Sequence, residues 1–233
     1  MAYTTFSTDN ADYVLQLGNH LTVNKQVDIF EGIDALVIET GGDKFFHEYF
    51  RKRFPQLDLL LEHCAKSKIS VFGTDLIPQL GISYPINSNH PSSIDRVINL
   101  LMYLPLFYYG YYSQKEVSES FLDFYGEIEF KKQQPIITGR DAVNARKTED
   151  FVAPTMKQRL NRKPFLGLVY GAAHLGLKLD LQSKNRRDFT IQNWITANYE
   201  DIPFITKMGL NKVQEANYDG QEWKFRDHEI NLF

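Results

Sequence analysis

The run Phe165-Leu166-Gly167-Leu168-Val169-Tyr170-Gly171-Ala172-Ala173-His174 is a short apolar segment closed by a turn of small residues. An apolar stretch of this length bounded by glycine reads as a strand buried on both faces. The small residues after it let the backbone turn tightly and come close to a ligand. Such a turn can aim His174 across the rim of a sheet. Neutral imidazole at that place can ligate a metal or take a proton near neutral pH. The alternative is a histidine that only satisfies local hydrogen bonds.

Toward the N-terminus the same strand grammar repeats. Tyr13-Val14-Leu15-Gln16-Leu17 is short, apolar and stops at Gly18. Residues 22–30 can form a short helix. Ala35-Leu36-Val37-Ile38 follows and ends at Glu39 and Gly41-Gly42. Residues 45–66 are helical in period, with a break near Pro55. Ile69-Ser70-Val71-Phe72 is a further strand, ending at Gly73-Thr74-Asp75. Strand, helix, strand, helix, strand implies an α/β fold with a mainly parallel central sheet flanked by helices. In such sheets ligands bind beyond the carboxyl ends of the strands. His20, Glu39 and Asp75 each follow a predicted strand, so the order alone sets three titratable side chains at one rim.

The middle of the chain departs from this pattern. Residues 84–93 form a polar loop, and Ser92-Ser93-Ile94-Asp95 fits a capping box that opens a helix. The aromatic segment from Tyr103 to Tyr112 follows, then a second capping box at Ser113-Gln114-Lys115-Glu116 leading into residues 117–125. Residues 84–132 therefore read as a helical, aromatic-rich excursion, an insertion or lid within one domain spanning 1–233. Its rings either line a cleft or bury against the sheet. Pro135-Ile136-Ile137-Thr138 reads as extended, and residues 141–160 as helical with an interruption at Pro154. Toward the C-terminus, Phe189-Thr190-Ile191 and Trp223-Lys224-Phe225 have strand-like composition.

Thr138-Gly139-Arg140-Asp141 stands about thirty residues before His174 and reads as a helix start. Asp141 would complement the helix N-terminus. Arg140 could bind a carboxylate or an oxyanion with two parallel bonds. The alternative is a cap and a surface salt bridge.

An Arg-Asp helix start, a buried strand and Gly-x-x-His-x-Gly together resemble the TraB/Tiki family, which is grouped with the erythromycin-esterase-like and ChaN-like proteins. The family's N-terminal half has strands ending in Gly-x-x-His, in Val-x-Glu and near an Asp. This chain has Leu17-Gly18-Asn19-His20, Val37-Ile38-Glu39 and Gly73-Thr74-Asp75 in that order. The first motif is one residue shorter than the family's, and Asn144 stands where the family usually carries Met. The resemblance implies a metal-assisted hydrolase of a peptide, amide or ester bond. It implies a Zn, Mn or Co ion held by His20, His174 and Glu39, with an open position for water. Arg140 would stabilise an oxyanion, and Asp75 and Asp141 would orient their neighbours. The alternative is a non-catalytic protein on the same fold that captures a peptide or small molecule. In the hydrolase reading, His174→Ala removes activity and leaves the fold nearly intact, because the small-residue turn satisfies the backbone.

Bulk composition bounds the rest. The chain has 233 residues, 43% hydrophobic and 24% charged, which suits one folded core rather than a disordered chain. Net charge is −3, so a general nucleic-acid binder, whose footprint is basic, is not expected. The single cysteine, Cys64, lies on an apolar helical run and reads as a buried structural thiol. The first seven residues have no basic and apolar regions of a secretory signal, and residues 98–112 are too short and interrupted to span a bilayer. The expected location is cytoplasmic, and the aromatic excursion could support a homo-oligomer. The basic runs Arg51-Lys52-Arg53 and Lys184-Asn185-Arg186-Arg187 read as solvated faces. No Gly-x-Ser-x-Gly elbow, phosphate loop, dinucleotide fingerprint or His-Glu-x-x-His pair is present.

Overall fold

The computed structural model describes residues 2–18, 27–39, 57–74, 119–132, 135–171, 174–197 and 211–231. Among the described residues, seven strands make one sheet: β1 (Ala2–Ser7), β2 (Asp12–Gly18), β3 (Ala35–Ile38), β4 (Ser70–Gly73), β5 (Phe165–Gly171), β6 (Lys212–Tyr218) and β7 (Trp223–Glu229). Their order across the sheet is β1-β2-β5-β3-β4-β6-β7. The four central strands, β2, β5, β3 and β4, are parallel. β1 pairs antiparallel on β2, and β6 and β7 add an antiparallel pair beyond β4. The protein is thus α/β with a mixed sheet. The expected parallel sheet is its centre, and the antiparallel flanks correct the "mainly parallel" reading. β1 and β7 are joined to their neighbours by short connections, which permit antiparallel pairing and no crossover.

β5 lies in the middle although it comes fifth in the chain. Its neighbours fix its register: Leu17 opposes Tyr170 and Gly18 opposes Gly171 on one side, and Ile38 opposes Val169 on the other. Alternation along these strands feeds two apolar layers. Tyr13, Leu15, Leu17, Val37, Phe72, Leu166, Leu168 and Tyr170 enter one. Val14, Leu36, Ile38, Val71 and Val169 enter the other, with Leu60, Leu61 and Cys64. Strands buried on both faces need cover on both faces, as parallel sheets do. Cys64 is buried as expected, and burial pushes its thiol up to about 12.

Helix α1 (Asp58–Ser67) precedes β4 and ends on Lys68 in the left-handed conformation. Helix α2 (Glu119–Lys132) is followed by α3 (Pro135–Lys147). Residues 135–138 are therefore helical, not extended. Proline is favoured in the first helical turn, where its missing N–H costs nothing, so Pro135 starts a helix rather than a strand. Arg140 and Asp141 consequently sit in the second turn of α3 and not at its start. The chain then passes through one π turn (Thr148–Val152) into α4 (Ala153–Leu160), which has Pro154 in its first turn. A short helix, α5 (Leu177–Gln182), and a longer one, α6 (Lys184–Ala197), follow β5. Phe189-Thr190-Ile191 belongs to α6, where Ile191 packs with Trp194, Ala142 and Val143 between α3 and α6. Burial of Ile191 against the neighbouring helix overrides the strand preference of this segment.

Lys184-Asn185-Arg186-Arg187 is not a solvated face throughout. Arg187 is buried and donates to Asp150 at 2.9 Å. Arg186 donates to Asp180 at 3.0 Å, Glu127 at 2.7 Å and the Gly126 carbonyl at 3.2 Å. His20, Asp75, residues 84–118 and with them the aromatic segment lie outside the described residues. Among the described residues, no helix is long and apolar enough to cross a membrane.

Close contact between α3 and α6 aims the Arg140-Asp141 pair. A Cβ placed on Gly139 would lie 2.2 Å from Trp194 Cδ1, inside the ring's van der Waals envelope. Gly139→Ala must push α6 away or rotate a packed indole. It is expected to cost about 1–3 kcal/mol, as overpacking of a filled core does. Thermal unfolding should show a fall in Tm of about 2–12 °C for a chain of this size. An unchanged Tm would mean that the two helices do not meet at Gly139.

Candidate active site

The carboxyl ends of β3, β4 and β5 deliver Glu39, Thr74 and the turn to His174. Ladder bonds continue past the strand ends: Glu39 N–H donates to Val169 O at 3.1 Å, and Thr74 N–H to Ile38 O at 3.3 Å. The turn after β5 closes with His174 N–H donating to Gly171 O at 3.1 Å. Helix α3 lies against this rim and brings Arg140 and Asp141 to it.

His174 is 2% exposed and stands between two carboxylates. Its Nδ1 bonds Asp141 Oδ1, and its Nε2 lies 2.9 Å from Glu39 Oε1. Arg140 donates to the same Glu39 oxygen at 3.0 Å. The other Glu39 oxygen accepts the Gly171 N–H at 2.7 Å. Asp141 is fully buried, and its second oxygen accepts the Gly176 N–H at 3.1 Å. Backbone donors at the two ends of the turn thus fix the two carboxylates that hold the ring. The Tyr170 ring meets the imidazole edge-on, with centroids 5.4 Å apart, and its hydroxyl bonds Thr74 Oγ1 at 2.6 Å.

Burial works against a charged imidazole at this position. The adjacent Glu39 and Asp141 charges outweigh it and raise His174 well above its ordinary range. Burial likewise raises Asp141, with the imidazolium and Arg140 pulling the other way. The two carboxylates thus favour the protonated ring, in which both N–H groups donate to them. Behind it lies Asp180, fully buried. Burial and the neighbouring Asp141 charge push it up to about 7, against the pull of Arg186.

Four of the residues singled out from sequence, Glu39, Arg140, Asp141 and His174, come together in one bonded cluster. His20 and Asp75 fall outside the described residues. Tyr170, Thr74, Lys147 and Asp180 were not singled out. Lys147 is fully buried and donates to the Thr74 carbonyl at 2.8 Å, tying α3 to the end of β4. Its spacing from Arg140, seven residues or two helical turns, is the signal that could have found it.

A metal ligand must offer a deprotonated nitrogen or an unoccupied carboxylate lone pair. Here Nε2 donates toward Glu39, and the same carboxylate carries a guanidinium. Among the described residues, no group of three or more His, Cys, Asp or Glu is arranged to hold a metal ion. In the protonated form of the ring neither His174 nitrogen is open to a cation, so binding one there requires loss of that proton. Comparison with family models, curated proteins and solved structures finds no match for this chain.

Proposed function

We propose that the protein is a hydrolase of a peptide, amide or ester bond, in line with its resemblance to the TraB/Tiki family. The observation that carries this reading is one buried imidazolium clamped between Glu39 and Asp141, with Arg140 on the same Glu39, at the carboxyl rim of the parallel strands. Strongly perturbed titratable groups gathered at such a rim mark functional sites more often than other places. In this reading His174 holds the proton that a departing group must receive. Glu39 accepts a proton from an attacking water, and Arg140 offers donors to a developing oxyanion. The metal-assisted form of the proposal keeps Zn, Mn or Co, with Glu39, His174 and His20 as ligands. It requires His174 to be neutral when the ion binds, so affinity must rise with pH.

A second reading is favoured by one specific observation. Both His174 nitrogens and both Glu39 oxygens are bonded within the protein, as in a cluster that only holds the rim together. In that case the fold captures a peptide or small molecule without turning it over. A broad screen of peptides, anilides and esters decides between the two, run on protein stripped with chelator and on protein reloaded with Zn, Mn or Co at pH 6 and pH 9. Hydrolysis that Arg140→Lys weakens about tenfold or more supports the first reading, because lysine cannot reproduce a planar fork. Absence of turnover in every arm, with or without metal, sinks it in favour of the second.

A further inference from the structure

Asn144 is 1% exposed, and neither its Nδ2 nor its Oδ1 has a hydrogen-bond partner among the described residues. Buried amides are nearly always paired, and one left unmade is costly. Its place in α3 gives the orphan a meaning. Residues three and four apart share a helix face, so Asn144 is flanked by Arg140, Asp141, Lys147 and Thr148. Of these, Arg140 reaches Glu39 after β3, Asp141 reaches His174 after β5, and Lys147 reaches Thr74 after β4. Asn144 stands at the centre of the polar arc that α3 turns to the rim. Its backbone carbonyl is already taken by Thr148 Oγ1 at 2.8 Å, so only the side-chain carboxamide is left over.

We propose that Asn144 is a specificity-determining residue that recognises the backbone of an extended peptide at this rim. A carboxamide offers one donor and one acceptor in a single plane. Its complement is a planar group with an acceptor and a donor on one edge. An extended peptide residue has this arrangement, its own N–H and C=O lying side by side, and so does a primary amide. A depsipeptide, with ester oxygen in place of that N–H, leaves Oδ1 unpaired. A site that bonds an N–H rejects an analogue lacking it strongly, because a buried polar atom is then stranded. This inference rests on the hydrolase reading for its choice of rim, and it selects peptides over esters within that reading.

The test is a binding measurement that needs no turnover. Uniformly 15N-labelled protein is titrated with acetyl-alanine N-methylamide, with acetyl-lactic acid N-methylamide and with acetamide. The side-chain NH2 pair of Asn144 is identified as the one missing from Asn144→Leu. The alanine probe is expected to shift that pair and to bind about tenfold or more tightly than the lactate probe. Asn144→Leu should bind the two alike. Tm of Asn144→Leu should hold or rise by about 2–4 °C, because an unpaired buried amide is replaced by an apolar group of similar size. An Asn144 pair that no probe moves, or equal binding of both esters and amides by wild type, overturns the proposal. So does a clear fall in the Tm of Asn144→Leu, which would mean that the amide is internally bonded. A pair moved by acetamide alone replaces the peptide with a small primary amide and overturns the peptide assignment. Probe binding through Asn144 together with no turnover in any arm of the substrate screen would leave this inference standing and remove the hydrolase. Hydrolysis whose amide-to-ester preference survives Asn144→Leu would do the reverse.

Discussion

His174→Ala is expected to lower Tm by about 6–20 °C at pH 7, corresponding to about 3–5 kcal/mol for removing one partner of a buried ion pair. Sequence alone points the other way, since a small-residue turn can satisfy its own backbone without the ring. The geometry reverses that expectation. Deleting the imidazolium takes from Glu39 one of its two bonded cations, and leaves Asp141, fully buried, without its bonded cation. The loss must depend on pH in a defined direction. A histidine whose folded pKa is raised contributes stability that is complete below its usual 6.5 and disappears as pH rises through the folded value, here well above. In the variant, the stranded carboxylates can take up protons in acid and relieve the strain. The gap between wild type and variant should therefore be small near pH 4, widest around neutrality and smaller again in alkali. Thermal or urea unfolding across that range measures it. A gap that stays constant with pH would mean that the imidazole is held neutral, and the charge assignment at the centre of the site would be lost.

The central parallel strands were legible because each is a short apolar run ending in glycine or an acid, and burial on both faces leaves no other arrangement for such runs. Glu39, Arg140, Asp141 and His174 were legible for a related reason: they follow strand ends or share the helix that covers them. What could not be read was which neighbours β5 would choose. Its insertion between β2 and β3 depends on contacts distant in sequence, such as Val169 opposite Ile38. Local preference also failed where packing or a special residue overruled it. Pro135 begins a helix although Ile136-Ile137-Thr138 favours strand, and Phe189-Thr190-Ile191 is helical because Ile191 is needed against Trp194. Arg186 and Arg187 look like a solvated pair in sequence. Only the acids they meet, Asp180 and Asp150, separated from them in the chain or on another helix, draw them inward. The upward shift of His174 was the least legible feature. Free imidazole is neutral near pH 7, and only the clamp from two carboxylates pulls it toward the charged form.

Glu39→Gln separates a working site from a structural one most sharply. Glutamine keeps the size of the side chain and can still accept the Gly171 N–H, now at 2.7 Å, but it carries no charge to pair with His174 and Arg140. In the proposed hydrolase, the glutamate is the group that takes a proton from water, and removing general-base catalysis of this kind costs about 10²–10⁴-fold in rate. The stability cost should be much smaller than that of His174→Ala. Asp141 still neutralises the ring, and Arg140, partly exposed, can turn toward solvent. The pH profile carries a second signature. With one of its two carboxylates gone, the imidazolium is less well supported, so the alkaline fall in activity that accompanies loss of the His174 proton should move to lower pH. The decisive measurement is kcat/KM against pH for wild type and Glu39→Gln, on whichever substrate the screen returns, beside Tm for both. Activity that falls only in proportion to the fraction unfolded would make Glu39 a strut of the rim, and the binding-protein reading would then take the place of the hydrolase.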